Sequence, residues 1–441
     1  MNINIFNTLA KGEILDRAFE RLNEKVVENP FLLNSLRLGS EINLGWLLSN
    51  RHRTISHLRT EIGRKRFFPG PASINAVSLD KNRDLISLSW PDRVVDSAIS
   101  IALNDAIEPK LSEHVYSFRK GRSNHEAVAN AAKWISLNSS EGKTTWVLKL
   151  DIAGYDRSIP HKLLLKQLKD LFGEQDPYFI KLLNSYLTPQ IVETSKPTEH
   201  KPGYGIQTGL CITQVFANLY LRDLDSALGA IPGAFYARFG DDVLFLHSSK
   251  EQVLDARIKT LEILALLELL PSERKSSLFQ LSSKSPSDIS NVDKTPCSIR
   301  ESSNKLCFDY LGFSLNAIGE IFLSSRRERK LREDLRNIAH LSYSINRRSD
   351  LSKEHNFTAI INSLNRSLRG TYQHSYIGDL LWKTTDCSAL KRLDTWIAKQ
   401  VLSQIYRTSH DRVFRYLPFK ELRKRGLVSL VHLQNSRGRL V

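Results

Sequence analysis

Residues 235–246 read Phe-Tyr-Ala-Arg-Phe-Gly-Asp-Asp-Val-Leu-Phe-Leu. Two short apolar runs, Phe235 to Phe239 and Val243 to Leu246, flank a glycine and two adjacent carboxylates. Runs of this kind read as strands, and Gly240 permits the tight turn between them. The chain is thereby committed to a hairpin whose tip carries Asp241 and Asp242. Burying an uncompensated charge is expensive, so the tip demands either solvent or a cation. A Gly-Asp-Asp triplet alone is common, and a solvated turn serves it equally well. A second acidic strand end, 90 residues upstream, shifts that balance: Trp146 to Leu150 is another apolar strand, and it ends on Asp151.

Brought side by side, Asp151 and Asp241 offer the hard oxygen ligands that Mg2+ prefers alongside substrate phosphates. Two such ions a few ångströms apart activate a 3′-hydroxyl and stabilise a leaving pyrophosphate in an in-line displacement. The set contains no Cys or His, which points to Mg2+, with Mn2+ as the alternative, over zinc. Cys211, Cys297, Cys307 and Cys387 are scattered without a CxxC pair, so neither a zinc site nor a disulfide framework is expected. The net charge is +16, and from Arg326 to Val441 there are 24 Lys+Arg against 10 Asp+Glu, a difference of +14. An excess concentrated in the last quarter of the chain points to phosphate contacts. No apolar run approaches the ~18 residues of a membrane span. Lys11, Glu13, Asp16 and Arg17 interrupt any signal-peptide core, so a cytoplasmic location and no membrane partner are expected.

Several blocks, in order, resemble those of bacterial reverse transcriptases related to group II intron, retron and defence-associated enzymes. Val115 to Ser123 (VYSFRKGRS) resembles the fingers block SFRxGRS. Asp151 opens the first catalytic block. Gly205 to Asn218 (GIQTGLCITQVFAN) resembles GxPQGxxxSxxxAN. Asp241-Asp242 is the second catalytic block, and Tyr310-Leu311-Gly312-Phe313 resembles the primer-grip hairpin. Together these cover residues 75 to 320. The resemblance implies an α+β right-hand polymerase with fingers, an antiparallel-sheet palm and a helical thumb. It implies an RNA-directed DNA polymerase that makes cDNA from dNTPs on an RNA template, with two Mg2+ ions. Within the family the resemblance leans towards the defence-associated group, which implies an antiphage role and a companion noncoding RNA. Oligomerisation is left open. A diversity-generating retroelement enzyme, and a template-independent or ribonucleotide-using polymerase on the same palm, are the alternatives. An RNA-binding scaffold with a relic palm is a third, against which the intact Asp151 and Asp241 argue.

The same resemblance implies roles. Asp151 and Asp241 are metal ligands, Asp242 supports them from behind or binds the metal more weakly, and Ile152 lends a backbone carbonyl while its side chain joins the core. Arg83 and Arg119 reach the triphosphate or template. Gln207, Thr208 and Gly209 line the nucleotide pocket, Lys275 lies near the pyrophosphate, and Tyr310 to Phe313 hold the primer end. The chain departs from the pattern in three places. Gln207-Thr208 replaces Pro-Gln. Thr213-Gln214 resembles the Ser-Gln of diversity-generating enzymes, although Leu210 follows the glycine. Five residues after Asp151, where reverse transcriptases carry an aromatic ring that excludes the ribose 2′-hydroxyl, stands Asp156, with Tyr155 one step earlier. RNA-dependent RNA polymerases place an aspartate there to accept a bond from that hydroxyl. Such a charged bond is worth about 1.5–3 kcal/mol, roughly 10- to 150-fold in selectivity. Tyr155 or a backbone shift is expected to preserve deoxynucleotide preference.

Periodicity divides the chain into a helical extension over 1–60, fingers and palm over 61–325, and a basic helical region over 326–441. Strands are expected around 74–79 and 85–88. Helices are expected over 93–107, 124–137, 160–172, 178–187, 213–228 and 258–270. A Ser-, Pro- and Asp-rich loop is expected over 282–304, and a hairpin turn at Gly319.

Overall fold

The apolar runs assemble into mixed helix and sheet, seen in a computed structural model that describes residues 4–28, 32–33, 42–76, 84–194, 201–282, 300–301, 305–347, 352–369, 387–408 and 412–437. The described residues fall into two compact units, one within 1–123, 147–278 and 294–301, the other within 124–146, 279–293 and 302–441.

The first unit opens with α1 (Ile5–Leu9), α2 (Gly12–Glu28), α3 (Leu44–Ser49) and α4 (Arg51–Gly63), the helical extension expected from the spacing. On α2 the buried stripe Leu15, Ala18, Phe19, Leu22 and Val26 repeats at helical intervals. It packs on α5 (Trp90–Ile107), which follows β1 (Ala72–Ala76) and β2 (Asp84–Ser87). The start of α5 is fixed by Pro91 in its first turn and by Ser89, whose hydroxyl accepts from the Asp92 N–H at 3.3 Å. Then come α6 (Asn124–Ser140, in the second unit), β3 (Thr145–Asp151), α7 (Tyr155–Ser158), α8 (His161–Phe172), α9 (Pro177–Leu187), β4 (Ile191–Thr194), α10 (Ile212–Tyr220), α11 (Arg222–Gly229), β5 (Phe235–Phe239), β6 (Asp242–His247), α12 (Lys250–Leu266), β7 (Ser277–Leu281) and β8 (Arg300–Glu301).

Two expected helices differ. The 213–228 segment is two helices, because Leu221 leaves helical geometry at φ −98°, ψ 11°. The break turns Leu224 and Leu228 into the core and Asp225 towards β5. The expected 258–270 helix starts at Lys250, where the Ser249 hydroxyl accepts from the Gln252 N–H at 3.2 Å. It stops at Leu266 because Glu268 adopts a left-handed φ of 54°. The 282–304 segment lies outside the described residues except for Ser282 and β8.

Five strands pair in the order β5-β6-β3-β7-β8, which puts the strands bearing Asp242 and Asp151 side by side. Strands β5 and β6 are antiparallel, with Phe239 opposite Asp242. Val243 to Leu246 are all buried, so β6 is covered on both faces, one helix packing on it being α12. The expected antiparallel sheet is mixed in detail, since β7 and β8 run parallel and, in a second sheet ordered β2-β1-β4, so do β1 and β4.

In the second unit, β9 (Cys307–Tyr310), β10 (Phe313–Asn316) and β11 (Ile321–Leu323) form an antiparallel meander. Gly319 turns the last hairpin at φ +80°, and a Cβ there would lie 2.4 Å from the Ala132 carbonyl oxygen of α6. Helices α13 (Ser325–Arg347), α14 (Lys353–Arg369), α15 (Cys387–Tyr406), α16 (Phe419–Lys424) and α17 (Leu430–Arg437) complete it. On α15, Asp394 accepts from the Leu430 N–H at 2.8 Å, the Ser429 hydroxyl at 2.7 Å and Arg423 at 3.1 Å, tying the last helices to the bundle. No helix among the described residues is long and apolar enough to cross a membrane.

Candidate active site

The hairpin tip is built from its own strand. Gly240 takes a left-handed φ of 64°, the conformation a tight hairpin turn needs at its first position. Directly before it, Arg238 is fully buried and makes a bidentate pair with Asp225 of α11, both contacts 2.7 Å. The same guanidinium donates to the Gly240 carbonyl at 3.1 Å and to the Asn218 carbonyl at 3.1 Å. Asn218 accepts from the Ser117 hydroxyl at 2.9 Å and donates back to the Ser117 carbonyl at 2.8 Å. Burial alone would pull the Arg238 pKa down; the Asp225 carboxylate more than offsets this, and the net shift is upward. One buried cation therefore ties the tip to α10, α11 and the SFRKGR segment.

At the end of β3, Asp151 is 5% exposed. Both its carboxylate oxygens accept from the Lys275 ammonium at 2.9 Å, and its carbonyl accepts from the Ser272 N–H at 2.7 Å. The bond to Asp151 raises the Lys275 pKa, and the charges of Asp151, Asp241 and Asp242 add to the rise. Asp242 is pushed up to about 6, first by burial and then by repulsion from Asp241; Asp151 adds to this and Lys149 opposes it. The structure thus brings Asp151, Asp241, Asp242 and Lys275 within one electrostatic neighbourhood, with the Lys275 ammonium bonded to Asp151. Among the described residues, no three His, Cys, Asp or Glu side chains form a ready-made metal cage. The donor set is nonetheless all hard oxygen, and the Lys275 ammonium marks where positive charge settles on Asp151. Ile152 is 1% exposed, its side chain in the core as expected.

A reverse transcriptase (RNA-dependent DNA polymerase) family model matches residues 76–315, more than half of the chain. The chain belongs to the reverse transcriptase family. The α+β polymerase fold expected from the motifs is borne out on that ground. Relatives of this reverse transcriptase include the putative COX1/OXI3 intron 1 protein of Saccharomyces cerevisiae, 24% identical over 230 residues, covering 52% of this chain and 25% of that protein. The group II intron-encoded protein LtrA of Lactococcus lactis is 24% identical over 162 residues, covering 36% and 25%. The chain thus spans about a quarter of the length of either relative. Among solved structures, apo telomerase from Candida tropicalis aligns over 88% of this chain and 74% of that one, with 10% identity and a TM-score of 0.41.

Arg83 is outside the described residues. The side chain of Arg119 is 9% exposed and engaged with Glu108 at 2.8 Å and with the Ser112 and Val115 carbonyls at 2.6 and 3.1 Å, bonds that hold its own loop. Tyr155, expected beside the nucleotide, is 4% exposed, and its hydroxyl donates to the Ala217 carbonyl at 2.6 Å. That bond ties the ring to α10. Asp156 is half-buried, and its carbonyl accepts from the Ile206 N–H at 2.7 Å.

The Gln207 side chain is buried, donating to the Leu187 carbonyl at 3.0 Å. The Thr208 carbonyl accepts from the Ile86 N–H at 2.9 Å. Gly209 has φ +105°, and a Cβ there would meet the Ile86 carbonyl oxygen at 2.9 Å. Its glycine is needed for close approach, but the partner is β2. Tyr310 and Phe313 are fully buried and paired across the β9–β10 turn, where Leu311 and Gly312 take φ of 48° and 88°. That hairpin belongs to the second unit.

Sequence reasoning missed two supports. Asp96 on α5 is fully buried and accepts from the Cys211 and Ile212 N–H groups at 2.8 and 3.1 Å, capping α10 from another helix. Its pKa is raised by burial, against the pull of Arg93, which sits 3.2 Å away. The other is the Arg238–Asp225 pair. An arginine inside an otherwise apolar strand and an aspartate in the first turn of a helix were the available signals.

Proposed function

We propose that the chain is an RNA-directed DNA polymerase extending a 3′-hydroxyl with dNTPs on an RNA template. Asp151, Asp241 and Asp242, with the Ile152 carbonyl, would hold two Mg2+ ions, with Mn2+ as a substitute. When bound, the ions lower the cost of deprotonating the 3′-hydroxyl and neutralise the leaving pyrophosphate. The chain's own part is to hold three carboxylates at adjacent strand ends through the buried Arg238 and the β3–β6 pairing. The observation that carries the reading is the cation demand of that trio, answered by Lys275 on both oxygens of Asp151. Residues 61–325 act as fingers and palm, 1–60 as an extension and the basic 326–441 as the thumb. The protein works in the cytoplasm with a companion noncoding RNA, in antiphage defence. The expected result for Asp241→Ala is loss of primer extension with RNA binding retained; unchanged extension would remove the metal assignment.

A ribonucleotide-using polymerase is the second reading, and one observation favours it. The Tyr155 ring is buried with its hydroxyl bonded to Ala217, and Asp156 is the residue at the sequence position where RNA polymerases carry the 2′-hydroxyl acceptor. Steady-state incorporation of dNTPs against NTPs separates the readings. A strong ribonucleotide preference, lost in Asp156→Ala, would end the DNA-synthesis proposal.

A further inference from the structure

The C-terminal helices carry a second polar site that polymerisation chemistry does not use. A cavity of about 310 Å³ is lined by Tyr343 of α13, Lys353 and Asn356 of α14, Ile405 and Tyr406 of α15, and Arg407. The volume lies at the lower end of the range for small organic ligands, about 300–1,000 Å³. Two of the six lining residues are tyrosines, two are cations, and none is an acid. The Tyr406 ring is backed by Tyr416, stacked at 4.9 Å and 17°, and braced edge-on by Phe357 at 6.1 Å. The Lys353 ammonium lies 5.8 Å from the Tyr406 centroid. Arg407 is held at a left-handed φ of 48°, a conformation that a non-glycine residue adopts at a cost, and its Nε donates to the Tyr343 hydroxyl at 3.4 Å. The nearest acid on α14, Glu354, is already paired with Arg425.

We propose that this cavity takes an unpaired nucleobase of a single-stranded nucleic acid, the base stacking on the tyrosine rings and its phosphate pairing with Lys353 and Arg407. A braced aromatic face beside cations, with no acid among the described lining residues, is the combination that binds single strands without reading sequence. A duplex hides its base faces and offers only phosphates. An acidic peptide would use the cations and leave the rings idle. The proposal rests on the nucleic-acid polymerase reading for its partner, but its test involves no catalysis, so either reading fails separately.

The probe is a short oligonucleotide with one 2-aminopurine, as single-stranded RNA, as single-stranded DNA of the same sequence and as an RNA duplex, titrated with the full chain. Stacking quenches the probe. Tyr406→Leu keeps apolar bulk and removes the ring. Loss of a base–aromatic stack worth about 1–3 kcal/mol predicts about 5- to 150-fold weaker single-strand binding, with quenching lost and Tyr406→Phe restoring both. Arg407→Gln is expected to lower the slope of log affinity against log salt by about 0.7. Tighter RNA than DNA binding identifies the template as the source of the base, and the reverse identifies the product strand. Single-strand quenching unchanged in Tyr406→Leu, or a duplex that binds and quenches equally, overturns the proposal. Should Tyr406→Leu fail to fold, Tyr343→Leu and Arg407→Gln test the same pocket: unchanged quenching in the first or an unchanged salt slope in the second is equally fatal.

Discussion

Asp225→Asn is the sharpest probe of how the acidic hairpin is held. Asp225 and Arg238 both have fully buried side chains, joined by two contacts of 2.7 Å, and the Tyr236 hydroxyl donates a third bond of 2.7 Å to the same carboxylate. The substitution keeps the shape and one acceptor oxygen but leaves a guanidinium buried without a counter-charge, its other half facing an amide N–H. Removing one member of a buried pair costs about 3–5 kcal/mol, a large share of the ~5–15 kcal/mol that holds a domain together. Urea denaturation should therefore show an unfolding free energy lowered by that amount, the midpoint falling by that amount divided by an unchanged slope. Replacing both partners, as Asp225→Leu with Arg238→Met, removes the stranded charge and should recover most of the loss. That double variant still lacks the bonds to Gly240 and Asn218, so primer extension should stay well below wild type although the protein is folded. A cost below about 1 kcal/mol for Asp225→Asn, or full extension by the double variant, would refute the assignment of Arg238 as the anchor of the tip.

Asp242 provides a pH test. Its folded pKa, about 6, stands above the ordinary 3.8, so the folded state holds this proton more tightly. The associated stability is fully present below pH 3.8 and is lost as pH rises through 6, about 3 kcal/mol in all. Without divalent ions, Asp242→Asn should flatten the fall in stability between pH 4 and 7, as read by denaturation at several pH values. Gly319→Ala forces a Cβ to within 2.4 Å of a backbone oxygen at φ +80°; a loss of about 2–4 kcal/mol in thermal or urea unfolding is expected. Tyr155→Phe removes only the bond to Ala217, so about 1 kcal/mol of stability should go while the dNTP-to-NTP ratio stays fixed.

The hairpin, the β3 end and most helices were legible because each is set by local pattern: apolar runs, a turn glycine, a Ser-x-Pro helix start. What was not legible depends on contacts between distant residues. The break at Leu221 falls between two helical segments that are in phase, so periodicity runs through it. The left-handed Glu268 carries no glycine to announce it, and a leucine-rich run masks the stop. Arg119 and Tyr155 sit at motif positions, yet the structure turns them inward, because a motif fixes residue type and leaves side-chain direction to the packing. Asp96 and Asp225 looked like ordinary helix acids; only the fold shows that one caps another helix and the other neutralises a strand arginine.

Lys275 neutralises one carboxylate of the site, Asp151, at rest. On the two-ion reading, an arriving divalent cation meets a carboxylate already engaged, so loading is an exchange with an amine tethered to the chain 124 residues away. The side chain of Lys275 is 66% exposed, so it has open water to swing into when displaced. The amine then remains nearby as a mobile positive charge, free to follow the negative charge that builds on a departing phosphate.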